Sequence, residues 1–235
     1  MRLLSALLVP ALTVLGVTGC STMDGYQEPG AEASGATNGP NQQSGSADIP
    51  LSQSDWRLPW SCGERYYVSQ GNDGDLCTAS NGDHVLIQNY AWDFALPRHT
   101  PVLATRDGVV TLALNVQQAG DGCYDGCNYP FDSSDFDNCC KTCLLLANRV
   151  NVQHADGTVS TYWHLDQATV YVGQVVRAGD VLGYSGTSGC STGPHLHFQV
   201  MDDCPLGYCQ SQAIQFAEAG VPACGDRVQS ANSCQ

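Results

Sequence analysis

The sequence predicts a mainly β domain, an antiparallel β-sheet built largely from hairpins. Two Asp-Gly pairs, at 107–108 and 156–157, each separate two runs that are rich in β-branched and aromatic residues. Asp-Gly suits the tight turns that join antiparallel strands. One segment, from Gln212 to Ala219, has the pattern of a short helix. The predicted strands are 102–105, 109–114, 149–154, 158–164, 169–172, 181–184 and 195–201.

The N-terminus predicts export and lipid anchoring. Arg2 precedes an apolar run from Leu3 to Val17, which is too short to span a membrane and suits a secretory leader. The run ends in Val17-Thr18-Gly19-Cys20, which resembles a bacterial lipobox. That resemblance implies that residues 1–20 are a lipoprotein signal peptide and that acylated Cys20 anchors the protein to a membrane. Ser21 favours the outer membrane by the same resemblance. An ordinary signal peptide with a coincidental cysteine is the alternative.

Residues 21–55 predict a flexible tether between lipid and domain. The segment consists mainly of Gly, Ser, Ala, Asn, Gln and Pro and has almost no large apolar residue. Such a composition cannot bury enough apolar surface to offset the entropy lost on ordering. Residues 56–235 are long enough for one domain with its own core.

The charge balance bears on the partners that the protein can bind. The chain has 9 Lys+Arg against 23 Asp+Glu, a formal net charge of −14. An acidic surface argues against nucleic acid and against electrostatic binding to anionic lipid. It gives no attraction to an anionic polymer either, so affinity for such a substrate has to come from local groups.

The cysteines predict disulfides in an oxidising compartment. Setting Cys20 aside from the 13 cysteines leaves 12, an even number in an exported chain. A zinc cluster is the alternative, since Cys123-x3-Cys127 and Cys140-x2-Cys143 have ligand-like spacing. The 12 are Cys62, Cys77, Cys123, Cys127, Cys139, Cys140, Cys143, Cys190, Cys204, Cys209, Cys224 and Cys234.

Two cysteine-rich segments interrupt or follow the strand pattern. Residues 115–145 form an acidic insertion, and residues 202–235 form a C-terminal extension; each is expected to be stapled by disulfides. Calcium is conceivable in the insertion, but EF-hand spacing is missing and a solvated acidic loop is the favoured interpretation. The carboxylates concerned are Asp121, Asp125, Asp132, Asp135 and Asp137.

Three motifs carry the candidate chemistry. In Gly193-Pro-His-Leu-His-Phe198, strand alternation places His195 and His197 on one face, with Leu196 and Phe198 on the other. In Ser160-Thr-Tyr-Trp-His-Leu165, the same rule places Tyr162 and His164 together, opposite Trp163 and Leu165. In Asn89-Tyr-Ala-Trp-Asp-Phe94, a carboxylate lies among apolar strand residues, which is costly unless it is paired or binds a metal.

Together these motifs resemble the lysostaphin-type (M23, LytM-like) zinc metallopeptidases. The resemblance extends from about His84 to Met201, outside the insertion, and its most specific block is Gly193-Pro-His-Leu-His-Phe198. It implies a lysostaphin-type antiparallel fold and hydrolysis of peptide cross-links in bacterial peptidoglycan. The stretches that carry it are Tyr90–Pro97, Thr100–Val110, Asn151–His164, Val175–Gly186 and Ser191–Phe198.

The resemblance also implies a role for each site residue. Asp93 and His197 correspond to the family's zinc ligands, and His164 and His195 to its catalytic histidines. The remaining ligand is open between two positions. Many members have a histidine four residues before the Asp, where this chain has Asn89, whereas others have it nine residues before, where His84 stands. We expect His84 to be the ligand; if Asn89 fills the place, the site is weak.

The chemistry of these side chains agrees with zinc. Two neutral imidazoles and one carboxylate suit tetrahedral Zn²⁺ and leave a fourth position for water. His-Glu-x-x-His is missing from the sequence, so His164 and His195 are expected to deprotonate the water and stabilise the oxyanion or protonate the leaving amine.

The other candidate side chains are expected to have ordinary roles. His99 and His154 are expected to be surface residues. Tyr90 and Tyr162 are candidates for lining the cleft, with packing as the alternative for Tyr90.

Two further functions stay open at this level. One is a catalytically inert relative that binds cell wall or activates another wall hydrolase, and the Asn89 question points to it. The other is a disulfide-rich adhesion module, which the cysteines alone support and which leaves the histidines unexplained.

Overall fold

A computed structural model describes residues 55–75, 84, 86–126, 140, 142–204 and 207–234. The predicted signal peptide with Cys20, nearly all of the tether, and Cys77, Cys127, Cys139, Asp132, Asp135 and Asp137 lie outside these residues. Among the described residues, no helix is both long and apolar enough to cross a membrane. Short 3₁₀ helices occur at Asn72–Gly74, Leu86–Gln88 and Leu144–Leu146.

Antiparallel strands dominate the described residues, which confirms the predicted fold class. The strands are β1 (Arg65–Gln70), β2 (Trp92–Phe94), β3 (Pro101–Leu103), β4 (Gly108–Leu114), β5 (Asn148–Gln153), β6 (Thr158–Ala168), β7 (Val175–Val176), β8 (Val181–Ser185), β9 (Leu196–Asp202) and β10 (Arg227–Gln229). The sheet order is β10-β1-β2-β9-β6-β5-β4-β7, and β8 pairs with both β3 and β6.

One of the two predicted hairpins is correct. The turn at Asp156-Gly157 joins β5 to β6, which pair antiparallel. The turn at Asp107-Gly108 does not make a hairpin, because β3 pairs with β8 while β4 pairs with β5 and β7. The Asp107 carboxylate instead accepts the N–H of Ala178 at 2.8 Å, so this turn packs against the segment before β8.

Two other predicted elements are wrong. Residues 169–172 are not a strand; they follow β6 as a loop, in which Thr169 N–H donates to the Leu182 carbonyl at 2.8 Å. Gln212 to Ala219 is not a helix. Gln212 N–H donates to the Val200 carbonyl, and Phe216 forms bridges to Trp56 and Gly220. At Thr169 and Gln212 the backbone bonds to strands β8 and β9, and these non-local contacts override a weak local preference.

The hydrophobic core lies under the face of β2, β6 and β9 that carries Trp92, Tyr162 and Phe198, all fully buried. Phe216 of the C-terminal extension packs into the same core, with its ring centroid 5.1 Å from that of Trp92. The extension also supplies β10, which pairs with β1. The extension is therefore part of the domain's core as well as being stapled to it.

Four disulfides lie among the described residues, as the cysteine pattern predicts. They include Cys123–Cys143, inside the insertion, and Cys140–Cys190, which ties the insertion to the loop before β9. The rival zinc cluster is contradicted because Cys123, Cys140 and Cys143 are all oxidised. The other two disulfides are Cys62–Cys234 and Cys204–Cys209.

The prediction that His154 is a surface residue is wrong. His154 is 4% exposed, and its ring packs edge-on against Trp56 with centroids 4.8 Å apart. Nδ1 lies 2.8 Å from the Asp107 carbonyl oxygen and Nε2 lies 2.9 Å from Ser160 Oγ. Burial lowers the pKa of this imidazole. His99, in contrast, has a side chain that is 73% exposed, as expected.

Candidate active site

The register between β2, β9 and β6 builds one wall of the site. Asp93 of β2 is paired directly with His197 of β9, and His197 is paired with Trp163 of β6. Because successive side chains in a strand point to opposite faces, these three lie on one face while Phe94 and Phe198 enter the core. The core therefore fixes the position of the two polar side chains.

The predicted grouping of Tyr162 with His164 is wrong. Tyr162 lies on the core side, where its hydroxyl accepts the N–H of Thr105 at 2.9 Å, so it does not line the cleft. Trp163 lies on the site face instead. The cause is His164, whose φ of 63° is left-handed and breaks the strand alternation. Non-glycine residues rarely adopt this conformation, and when they do the site is often functional.

Three ring or carboxylate atoms converge on one point. His84 Nε2 lies 3.2 Å from His197 Nδ1 and 3.2 Å from Asp93 Oδ1, and His197 Nδ1 lies 3.0 Å from Asp93 Oδ1. Ligands bound ~2.0–2.1 Å from a tetrahedral zinc ion are roughly 3.3 Å apart. The structure thus brings the three predicted ligands to the spacing expected around a tetrahedral zinc ion. These ligands are His84, Asp93 and His197.

The hydrogen bonding of His84 indicates which atoms face the convergence point. Its Nδ1 lies 3.2 Å from the Gly71 carbonyl oxygen, which can only accept, so Nδ1 carries the proton. Nε2 then presents a lone pair toward Asp93 and His197. A carboxylate and a lone pair this close repel each other unless a proton or a cation lies between them. The residues present fit a divalent cation.

The charge state of Asp93 agrees with this arrangement. Burial alone would raise the pKa of its carboxyl, but the three neighbouring imidazoles hold that pKa well below its usual range. Burial lowers the pKa of His197, which favours the neutral ring. Neutral imidazole and ionised carboxylate are the forms that bind a metal.

The two predicted catalytic histidines flank this convergence point. The ring centroids of His164 and His195 are 4.5 Å apart, and His195 Nε2 lies 3.8 Å from Asp93 Oδ1. His195 is partly exposed, whereas His164 is buried. Burial, together with the rings of His195 and His197, lowers the pKa of His164 to about 3. His164 is therefore a neutral imidazole at physiological pH.

Backbone carbonyls fix the tautomers of both histidines. His164 Nδ1 lies 2.7 Å from the Ser188 carbonyl oxygen, and His195 Nδ1 lies 2.8 Å from the Gly193 carbonyl oxygen. Each Nδ1 must carry the proton, which leaves each Nε2 free to accept one when the ring is neutral. Both carbonyls belong to the loop between β8 and β9, residues 186–195, which we call the orienting loop.

The insertion holds the orienting loop from outside. Cys190 of this loop forms the disulfide with Cys140, and Gly189 N–H donates to the Cys123 carbonyl at 2.7 Å. Gly189 has φ +86°, and a Cβ there would lie 2.6 Å from the Cβ of Ala147, so glycine permits this close approach. The insertion thus reaches the site through the loop's backbone.

Sequence reasoning missed several residues of the site. Ser188 and Gly193 act through backbone carbonyls, and the role of a backbone atom cannot be predicted from the residue type. Trp163 was missed because the alternation rule fails at His164. Arg149, whose guanidinium carbon lies 4.2 Å from the Trp163 ring centroid, gave no signal beyond being a charged residue in a predicted strand.

Comparison with known proteins agrees with the geometry. Residues 141–211 match the model of Peptidase family M23; this range includes His164, His195 and His197. Peptidoglycan DD-endopeptidase ShyA of Vibrio cholerae is 33% identical over 109 residues, 46% of this chain and 19% of that protein. Lysostaphin of Staphylococcus simulans is 32% identical over 114 residues, 48% of this chain and 18% of that protein. The chain matches only about a fifth of the length of such curated relatives.

Solved structures with a similar chain include the catalytic domain of lysostaphin from Staphylococcus simulans. The identity is 25%, the match covers 63% of this chain and 88% of that chain, and the TM-score is 0.38. The antiparallel fold, the convergence of His84, Asp93 and His197, and the match over residues 141–211 all agree with the family that the motifs resemble. The chain is therefore similar to Peptidase family M23 over residues 141–211.

Proposed function

We propose that this chain is a zinc-dependent endopeptidase that hydrolyses peptide cross-links of bacterial peptidoglycan. The observation that carries the proposal is the triangle of His84 Nε2, Asp93 Oδ1 and His197 Nδ1, flanked by two imidazoles with fixed tautomers. The curated relatives support the substrate class, since they include a peptidoglycan DD-endopeptidase and a glycyl-glycine endopeptidase. Zn²⁺, when bound, polarises a peptide carbonyl and lowers the pKa of a water molecule.

The chain's own residues supply the proton transfers. Because each Nδ1 faces a backbone carbonyl, the Nε2 atom of His164 or of His195 is the one that can take the proton of the attacking water when the ring is neutral. The protonated ring can then donate to the oxyanion or to the leaving amine. Because His195 is the more exposed ring, it is the one with access to the substrate's leaving group.

The inert alternative depended on Asn89 filling the third ligand position. Asn89 lies in the turn after Leu86–Gln88, and its carbonyl accepts the N–H of Asp73 at 2.6 Å. His84 Nε2 lies beside Asp93 Oδ1 and His197 Nδ1, which supports His84 as the third ligand and supports an active enzyme. An adhesion module gives no reason for the five converging polar side chains of His84, Asp93, His164, His195 and His197.

We also propose that the mature protein is held at a bacterial membrane by acylated Cys20. What supports this is the run Val17-Thr18-Gly19-Cys20 and the low-complexity segment that follows it. A tether of this kind lets the domain reach cross-links at a distance from the lipid.

Metal content tests the ligand assignment. We expect about one zinc per chain in the purified, oxidised protein and a large loss in His84→Ala, because two remaining ligands cannot hold zinc tightly. Asn89→Ala is the matched control and should keep its zinc. The measurement is elemental analysis after dialysis against a weak chelator, with digestion of cell-wall sacculi in parallel. Equal zinc in His84→Ala and the parent would refute the assignment.

Turnover separates the catalytic histidines from the ligands. His195→Ala should retain zinc and lose cleavage of a cross-linked peptide by about 10²–10⁴-fold, the usual contribution of one proton-transfer group. His154→Gln is the control for a buried histidine outside the site, and its turnover should stay near the parent value. An active His195→Ala variant would show that His195 is not catalytic.

The Cys140–Cys190 disulfide should affect turnover without affecting metal content. Replacing both cysteines by serine frees the orienting loop, so we expect kcat to fall while KM and zinc stay close to the parent values. Replacing Cys62 and Cys234 is the control; it should lower the free energy of unfolding by ~2–4 kcal/mol and leave kcat intact. If both double variants lose activity in proportion to their stability, the insertion has no orienting role.

A further inference from the structure

Among the described residues, Arg149 is a buried cation with no carboxylate within ion-pair distance. The residue is 7% exposed, and its Nε and Nη1 atoms have no hydrogen-bond partner among the described residues. Its guanidinium lies over the ring of Trp163, 4.2 Å from the centroid. Buried charges are normally paired, because an unpaired one gives up its hydration without compensation. A lone buried guanidinium therefore indicates that something else pairs with it.

A cavity of about 230 Å³ adjoins Arg149. Its walls include Thr111, Asn151 and Asp203. The Asn151 side chain is already bonded to the Gly207 carbonyl and to Thr161 Oγ1, so it offers little to a ligand. Asp203 is exposed and accepts the amide of Gln153 at 2.9 Å. Among the described residues that line this cavity, Arg149 thus offers the Nε–H and Nη1–H groups as donors without an acceptor, and such donors are suited to an anion.

The cavity belongs to the same face as the candidate active site. Trp163 is the side chain between the two: its ring centroid is 6.4 Å from that of His197 on one side and 4.2 Å from the Arg149 guanidinium on the other. A peptide lying across this face with its scissile bond near His197 can place a neighbouring side group at Arg149.

We propose that Arg149 binds a free carboxylate of the substrate peptide and so selects acidic peptides. A guanidinium is a planar donor fork that matches a carboxylate, and this pairing removes the cost of the buried charge. The net charge of −14 gives acidic peptides no general attraction, so a local cation is needed for affinity. This inference rests on the proposed peptidase function for the identity of the ligand.

Paired substrates test the proposal. One is a cross-linked peptide with a single free α-carboxylate beside the cleaved bond, and the other is its carboxamide twin. We expect the parent protein to favour the carboxylate in kcat/KM by about 10- to 100-fold, since charged hydrogen bonds have that effect. Arg149→Met should abolish the preference by losing turnover of the carboxylate peptide only, and Arg149→Lys should restore part of it.

Stability and binding readouts keep the test decisive. Arg149→Met should unfold at the same temperature as the parent or higher, because it removes a buried unpaired charge. Binding of the two peptides to His195→Ala, measured by titration calorimetry, should show the same preference in the absence of cleavage. A preference in binding without cleavage by the parent would refute the peptidase function and leave the carboxylate site standing. Two results would overturn the carboxylate site. One is equal binding of the carboxylate and carboxamide peptides, and the other is an equal loss of turnover of the two peptides in Arg149→Met.

Discussion

The cross-strand pair of Asp93 and His197 is the interaction on which the rest of the site depends. These residues face each other between β2 and β9, 3.0 Å apart at Oδ1 and Nδ1, because their neighbours Phe94 and Phe198 are held in the core. A one-residue slip of either strand would exchange polar and apolar faces. The packing of the core therefore fixes two of the three proposed ligands, and His84 completes the set from a segment outside the sheet.

The orientation of the proposed catalytic rings depends mainly on the backbone, with Ser191 Oγ also 3.3 Å from His195 Nδ1. The carbonyls of Ser188 and Gly193 determine which nitrogen of His164 and His195 carries a proton. The orienting loop is held by the Cys140–Cys190 disulfide and by the contact of Gly189 with Cys123. The insertion thus has a physical connection to both rings, although none of its described residues belongs to the metal triangle.

Sequence reasoning could predict the parts of the molecule that local patterns determine. Runs of β-branched and aromatic residues separated by Asp-Gly pairs predicted a mainly antiparallel sheet, and the His-Leu-His-Phe run predicted which residues of β9 face the core. It failed where a non-local contact or an unusual backbone decides the outcome. The φ of 63° at His164 reversed the expected faces of Tyr162 and Trp163, and backbone contacts with the sheet prevented a helix at 212–219. His154 was misplaced because the packing of Trp56 over it joins residues that are far apart in the sequence.

Cobalt substitution tests the central claim, that His84, Asp93 and His197 form a metal site, most directly. Co²⁺ reports its coordination in its visible spectrum, and it accepts the same nitrogen and oxygen ligands as zinc. Our account predicts that about one Co²⁺ binds per chain with the intense visible bands of a tetrahedral site, without the near-ultraviolet bands of thiolate ligands, and that His197→Ala abolishes this spectrum. Failure to bind Co²⁺ in the folded, oxidised protein, or a spectrum that is unchanged in His197→Ala, would contradict it.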